Sequence, residues 1–222
     1  MLLYDISMTV EPGMAVYKNK ADKQPLIETE KDFKESSVYE SRLSMNMHTG
    51  THLDMPLHMI STGGSSDRWA AADMFTACTV LDFTDLPADF ITAGDLAKKE
   101  FPHKDIRALT GLGRTVLLKT RNSLQDGFDF SFVYLDKTGA SLLVDNAIAG
   151  VGIDALGIER NQPNHDTHKI LLGSDVWILE GLRLGEVPEG GYILALMPLK
   201  IRGVEALPAR AALLEPGSFS AR

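Results

Sequence analysis

The sequence holds a single cysteine, Cys78, so no disulfide framework can form within the chain, and a reducing compartment, the cytoplasm, is the expected setting. No Lys/Arg run exceeds two residues and the formal charge is -8. That leaves no basic patch for nucleic acid and no cationic face for an anionic membrane. No apolar stretch approaches the ~18 residues that a membrane-spanning helix requires, and "MLLYDISMTVEPGM" lacks the basic start and apolar core of a signal peptide. Internal repeats, low-complexity tracts and heptads are also missing. What is present is 222 residues, 44% of them hydrophobic, enough for one sizeable core and hence a single domain over residues 1–222. A small molecule is the partner such a surface leaves open.

Short strand-like segments dominate, with a few helices between them, which reads as α/β. "LLYDISMTV" alternates as a half-buried strand and "EPGM" turns the chain. "YESRLSMNM" alternates again and points to a strand running to about His48. "STGGSSDR" (61–68) reads as a mobile loop or lid. "CTVLDFTDL" and "RTVLLKT" read as strands, the second covered on both faces, and Cys78 falls in the first as a core residue. "TAGDLAKKEF" starts a helix on Thr92 with Asp95 closing a capping box. "TGASLLVDNAI" predicts a short helix and "AGVGID" a strand ending at Asp154. "HKILLGSDVWILEGL" predicts helix, turn and strand, and "GYILALMPLKI" and "PARAALLE" two further strands.

Three of the six histidines, His48, His52 and His58, fall within eleven residues of "MHTGTHLDMPLHM", beside Asp54. A helical zinc-peptidase motif is excluded, because no glutamate follows His48 and both Gly50 and Pro56 oppose a helix. On a strand all four side chains share one face. A fully extended strand would still hold His48 and His52 ~13 Å apart, too far to share an ion, so the chain must curl near Gly50. Two imidazoles and a carboxylate suit a divalent ion, Zn²⁺, Mn²⁺ or Fe²⁺, which can lower the pKa of water and polarise a carbonyl. His58, beyond Pro56, is either a further ligand or an acid/base whose ordinary pKa of ~6.5 suits neutral pH.

Of the other histidines, His103 lies in the polar segment "FPHKD", whereas "NHDTHKILLGSDVWILEGL" brings His165, Asp166, His168 and Glu180 within possible reach of a metal. Glu180 follows an apolar run, so it is either the first solvated residue beyond a strand or a paired interior charge. Trp69, just after the Gly/Ser-rich stretch, is the better of two tryptophans for lining an aromatic substrate pocket.

"HTGTHLDMPLH" resembles, at every fixed position, the H-x-G-T-H-x-D-x-P-x-H signature of the cyclase family, which includes bacterial kynurenine formamidases and isatin hydrolases. The resemblance continues in "LLYDISMTVEPGMAVY", "GVGIDALGIE", "HKILLGSDVWILEGL" and "YILALMPLKIRGVEALPARAAL". It implies a cyclase-like swivelling β/β/α fold, a mixed sheet or barrel-like core with flanking helices. It implies His48, His52 and Asp54 as a first metal site and His58 as acid/base. Where a second metal is present, Asp54 bridges to it and His168 and Glu180 complete it. His165 and Asp166 fall outside that pattern. The cofactor implied is Zn²⁺ or Mn²⁺, one or two ions, and the assembly a homo-oligomer, dimer or larger. The chain departs from the two-metal formamidases at Lys169, where they carry a second histidine, and at "KNKADK" after Tyr17, where they carry a proline-glycine-aspartate turn.

The activity expected is hydrolysis of a carbon-nitrogen bond in a small aryl formamide, amide, cyclic imide or lactam. Two rivals stand beside it. One is an Fe²⁺ oxygenase using His52, Asp54 and His168 as a facial triad. The other is a catalytically silent metal-binding protein, although a closed structural zinc site usually has four protein ligands, often with cysteine.

Overall fold

The structure, a computed structural model, describes residues 3–99 and 114–216; His103 lies outside them. Twelve strands occur among these residues: β1 (Leu3–Asp5), β2 (Leu26–Lys31), β3 (Glu40–Ser44), β4 (His52–Asp54), β5 (Phe75–Phe83), β6 (Phe90–Ile91), β7 (Arg114–Thr120), β8 (Tyr134–Leu135), β9 (Gly150–Ile153), β10 (Trp177–Glu180), β11 (Gly190–Pro198) and β12 (Ala206–Leu214). The helices are α1 (Ala93–Ala97), α2 (Lys137–Asp145) and α3 (Asp166–Gly173). No helix among the described residues is long and apolar enough to cross a membrane.

The main sheet runs β1-β12-β11-β5-β7-β9-β10-β4, and β4 pairs back onto β12. Seven strands therefore close into a mixed barrel, with β1 added outside the ring on the free half of the β12 edge. Strands β5, β7, β9 and β10 are parallel, and the remaining ladders are antiparallel. Closure removes the exposed edges of the barrel strands.

Side-chain parity divides the core in two. Cys78, Val80, Leu117, Leu179, Leu53 and Leu207 pack with one another in one cluster, the barrel interior. Leu81, Phe83, Val116, Leu118, Val151, Ile153 and Ile178 point the other way and pack with Leu96, Leu143 and Leu171 of the three helices. Because the strand period is two, Leu53 facing inward puts His52 and Asp54 on the outer face, and Leu179 facing inward does the same for Glu180. Gly152 occupies an inward position where a Cβ would lie 2.6 Å from Leu117 Cδ2.

Most of the expected elements are present. Thr92 and Asp95 form the capping box of α1, with Asp95 N donating to Thr92 Oγ1 (3.2 Å) and Thr92 N to Asp95 Oδ2 (3.1 Å). Three expectations are corrected. Strand β3 ends at Ser44 and forms a hairpin with β2 in which every residue is exposed. Its alternation reflects pairing with another polar strand and not a buried face. The motif's strand follows Gly50 where it was expected to precede it. The stretch 61–68 is also held against the motif: Leu57 N donates to Gly64 O (3.0 Å), and a Cβ on Gly63 would lie 2.5 Å from the Pro56 carbonyl carbon. Gly63 serves this close backbone approach, and Gly64 leaves room for the Arg68 side chain.

Candidate metal centre

The motif is folded by its own polar residues. Asn46 starts a turn, its side chain accepting from His48 N (3.0 Å) and its carbonyl from Thr49 N (3.1 Å). Gly50 then takes φ +68°, a left-handed conformation that glycine adopts without strain. The chain comes so close to the end of β10 that a Cβ on Gly181 would sit 2.5 Å from Gly50 O. Thr51 Oγ1 donates to Gly181 O (2.6 Å) and accepts from Met8 N (2.8 Å). These contacts fix the start of β4 against β10, where His52 and Glu180 are direct cross-strand partners.

Six side chains converge there. Asp54 is wholly buried, and its oxygens face different ways: Oδ1 lies 3.0 Å from His48 Nδ1 and 3.6 Å from His52 Nε2, while Oδ2 lies 3.8 Å from His168 Nε2. Glu180 contacts His52 Nε2 (3.4 Å) and His168 Nε2 (3.5 Å). His58, in a short 3-10 turn after Pro56, stands between the His48 and His168 rings, 4.3 and 5.5 Å away between centroids. His48, Asp54 and His58 offer ligand atoms within 4.8 Å of one another, and so do His52, Asp54 and Glu180. Asp54 belongs to both sets. Every expected metal and acid/base residue is therefore at this one place, on the outer face of the barrel beneath α3.

The atoms fit a cation. His52 Nδ1 donates to Gly50 O (2.9 Å), which directs Nε2 into the cluster. Yet His52 Nε2 and both Asp54 oxygens are buried without a hydrogen bond, a state that costs several kcal/mol unless a charge or ligand compensates it. Nitrogen and carboxylate donors without sulfur suit Zn²⁺ or Mn²⁺.

The electrostatics say the same. Burial opposes charge on Glu180, but the His168 and His52 contacts outweigh it and hold its pKa well below the usual carboxylate value. Burial likewise disfavours charge on His168, yet the carboxylates of Glu159 and Glu180, 3.0 and 3.5 Å from its ring nitrogens, carry it up to about 10. The buried carboxylates demand positive charge from whatever is beside them. His58 differs: burial first, then the neighbouring His48 and His168, hold its pKa below the ordinary imidazole value against the pull of Asp54. It is neutral, and able to accept a proton, at neutral pH.

Two contributors were not picked out from the sequence. Buried Glu159 lies 3.0 Å from His168 Nδ1 and 2.6 Å from His165 Nδ1, and accepts from Thr167 N (3.0 Å). It ties down the start of α3 and turns His168 Nε2 toward Asp54 and Glu180. His165 and Asp166, expected as polar loop residues, begin α3 instead, His165 at φ +53°. Glu205, before β12, reaches His48 Nε2 at 3.3 Å. The only local signal for Glu159 was a carboxylate closing the otherwise apolar "ALGIE".

The cluster opens on a hollow of about 500 Å³ whose lining includes Tyr17, Lys18, Lys23, His48, His58 and His168, a size that suits a small molecule. Trp69 does not line it. That ring packs edge-on against Trp177, centroids 5.8 Å apart, beside a different hollow formed with Met74, Leu199 and Ile201. Cys78 is buried in the barrel, and burial pushes its thiol pKa far up.

The family described as "Putative cyclase" matches residues 4–160. A kynurenine formamidase of Salinibacter ruber is 32% identical over 217 residues, covering 96% of this chain and 97% of that protein. Cyclase-like protein 3 of Arabidopsis thaliana is 28% identical, covering 96% and 79%. A solved structure described as a "predicted metal-dependent hydrolase" from Bacillus stearothermophilus is 43% identical with a TM-score of 0.83, covering 96% and 97%. Isatin hydrolase A from Labrenzia aggregata, at 23% identity and TM-score 0.80 over 96% and 93%, shares the fold.

Proposed function

The chain belongs to the cyclase family, and from that premise we propose that it hydrolyses a carbon-nitrogen bond in a small aryl formamide, amide, cyclic imide or lactam. The observation that carries the reading is Asp54, a buried carboxylate without a hydrogen bond, set between His48 and His52 on one oxygen and His168 on the other.

His48, His52 and Asp54 would hold one divalent ion, Zn²⁺ or Mn²⁺, and Asp54, His168 and Glu180 a second where two bind. When bound there, a divalent ion would supply water of lowered pKa and a Lewis acid able to polarise the carbonyl and stabilise charge developing on its oxygen. His58 takes the proton that the water loses as its oxygen adds to the carbonyl carbon. The carbon-nitrogen bond then breaks with its electron pair going to nitrogen, and His58 returns the proton there. The products are a carboxylic acid and an amine, joined in one molecule when the substrate is cyclic. Glu159 keeps His168 turned inward throughout.

The oxygenase alternative would use His52, Asp54 and His168 and leave His48, His58 and Glu180 without a part. Metal analysis of the purified protein, followed by a hydrolysis screen of N-formylkynurenine, isatin and cyclic imides, tests the proposal. Oxygen-independent turnover is the expected result; oxygen consumption with Fe²⁺ and a co-substrate, or no hydrolysis of any compound, goes against it.

The same reading includes a cytoplasmic homo-oligomer, dimer or larger. The β2–β3 hairpin supports the second part, since it exposes Leu26, Ile27, Phe33, Tyr39 and Leu43, more apolar surface than a lone polar hairpin needs. Light scattering measures the mass directly.

A further inference from the structure

A neutral imidazole carries one N–H donor and one lone pair, so a histidine that gives its lone pair to an ion must place its N–H elsewhere. His52 does so with Gly50 O, 2.9 Å from Nδ1, and His168 with buried Glu159, 3.0 Å from Nδ1, which leaves Nε2 of both rings facing the cluster. His48 is turned the other way. Its Nδ1 faces Asp54 Oδ1 at 3.0 Å and its Nε2 faces Glu205 Oε1 at 3.3 Å. Glu205 takes no part in the proton transfers. Among the described residues it also belongs to none of the sets of side chains whose ligand atoms lie within 4.8 Å of one another.

The carboxylate is delivered by a braced segment. Glu205 stands just before β12, where Ala206 pairs with Asp54, and its carbonyl accepts from Met55 N (2.9 Å). On its other side Val204 O accepts from Ser66 N (2.9 Å), and Val204 N donates to Ser66 Oγ (3.2 Å). Ser66 belongs to the Gly/Ser-rich stretch whose Gly63 lies against Pro56, so that stretch ties the exit of the motif to the segment that bears Glu205. His48 is held from its own side, since its N–H donates to Asn46 Oδ1 and the next residue, Thr49, donates through Oγ1 to Lys23 O (2.8 Å). With both backbones fixed, the Glu205 contact is preorganised.

We propose that Glu205 is a positioning residue for the metal centre: it accepts a hydrogen bond from His48 Nε2–H and so directs the Nδ1 lone pair at the ion. This rests on the metal-binding part of the hydrolase reading and deepens it by assigning the ligand atoms, Nδ1 for His48 and Nε2 for His52 and His168. An outer carboxylate fixes the tautomer and orientation of a ligating imidazole and raises its basicity. The Glu205 side chain is 39% exposed where that of Glu159 is 4% exposed. Water therefore screens Glu205 more, and its contribution is the smaller of the two.

Competition for Zn²⁺ with a chromophoric chelator tests the assignment in the wild type, Glu205→Ala and Glu205→Gln. Affinity falls about tenfold in Glu205→Ala, the low end of the loss that follows removal of an outer carboxylate. Glu205→Gln, whose amide oxygen still accepts, falls between. The melting temperatures of the metal-free proteins stay within about 2 °C of one another, as for a surface substitution in a chain of this size. Nitrogen NMR of the Zn²⁺-loaded wild type shows His48 bound through Nδ1 with its proton on Nε2, and the Nε2–H signal is lost to solvent exchange in Glu205→Ala. Unchanged affinity in Glu205→Ala, or His48 bound through Nε2, overturns the proposal and leaves the metal reading standing. A loss of affinity matched by a loss of metal-free stability assigns Glu205 to the fold and overturns it too. A wild type that holds no Zn²⁺ overturns the metal reading and the proposal together.

Discussion

Asp54 Oδ2 lies 3.8 Å from His168 Nε2, although 114 residues separate the two in the chain and one stands on the barrel while the other stands on a helix. The same carboxylate's Oδ1 faces His48 and His52. One buried group therefore joins the two halves of the site.

Replacing Asp54 with asparagine removes the charge shared by both halves. Metal analysis is expected to show loss of all bound ion. Because a ligand that binds only the folded state stabilises it, EDTA should lower the melting temperature of the wild type and leave Asp54→Asn unmoved. Wild-type metal content in the variant would contradict the central role of Asp54.

His58→Gln is expected to keep the metal and lose about 10²–10⁴-fold in kcat. Its pKa is held below the ordinary imidazole value, chiefly by burial and then by His48 and His168. Since the neutral ring must accept the proton, kcat/KM of the wild type should rise with pH through a value below ~6.5 and level off above it. The rising limb is absent from the residual activity of the variant.

Glu159 acts through His168. Glu159→Ala is expected to weaken metal binding by about 10–100-fold, the usual effect of losing a carboxylate that orients a ligating imidazole. Glu159→Gln, which can still accept from Thr167 N, should fall between the two. Competition with a chromophoric chelator measures the affinities without recourse to turnover.

Gly181→Ala asks a methyl group to occupy space 2.5 Å from Gly50 O at φ +71°. The backbone strain alone costs ~1–3 kcal/mol, read by thermal unfolding. Because Gly50 sits between His48 and His52, metal affinity should fall as well. A control at Gly203, φ +75° with open space around it, carries the strain without the collision and should leave metal binding intact.

Much was legible in the sequence because it is encoded locally. Two-residue alternation and apolar runs marked β5, β7, β9, β11 and β12, and Thr92 with Asp95 marked the start of α1. The clustering of His48, His52, Asp54 and His58 marked the site, since few roles other than metal binding place so many ligand types in eleven residues. The need for the chain to turn at Gly50 followed from strand geometry. The alternation of β3 misled, because period alone does not say whether a core lies beneath a strand. Trp69 lines a different hollow from the histidine cluster, since proximity to the motif in sequence is not proximity in space.

The tertiary structure decided what depends on pairing between distant segments. Strand β4 closes the barrel through β10 and β12, and only that register sets His52 opposite Glu180 and turns both away from the interior. Packing of α3 over that face brings in His168, and the fold of the preceding loop delivers Glu159 behind it. No local propensity carries such information, because the free energy of a long-range contact is realised only when the whole ladder is in register. The sequence by itself determined which chemistry the chain can hold; the closed barrel decided where its parts meet.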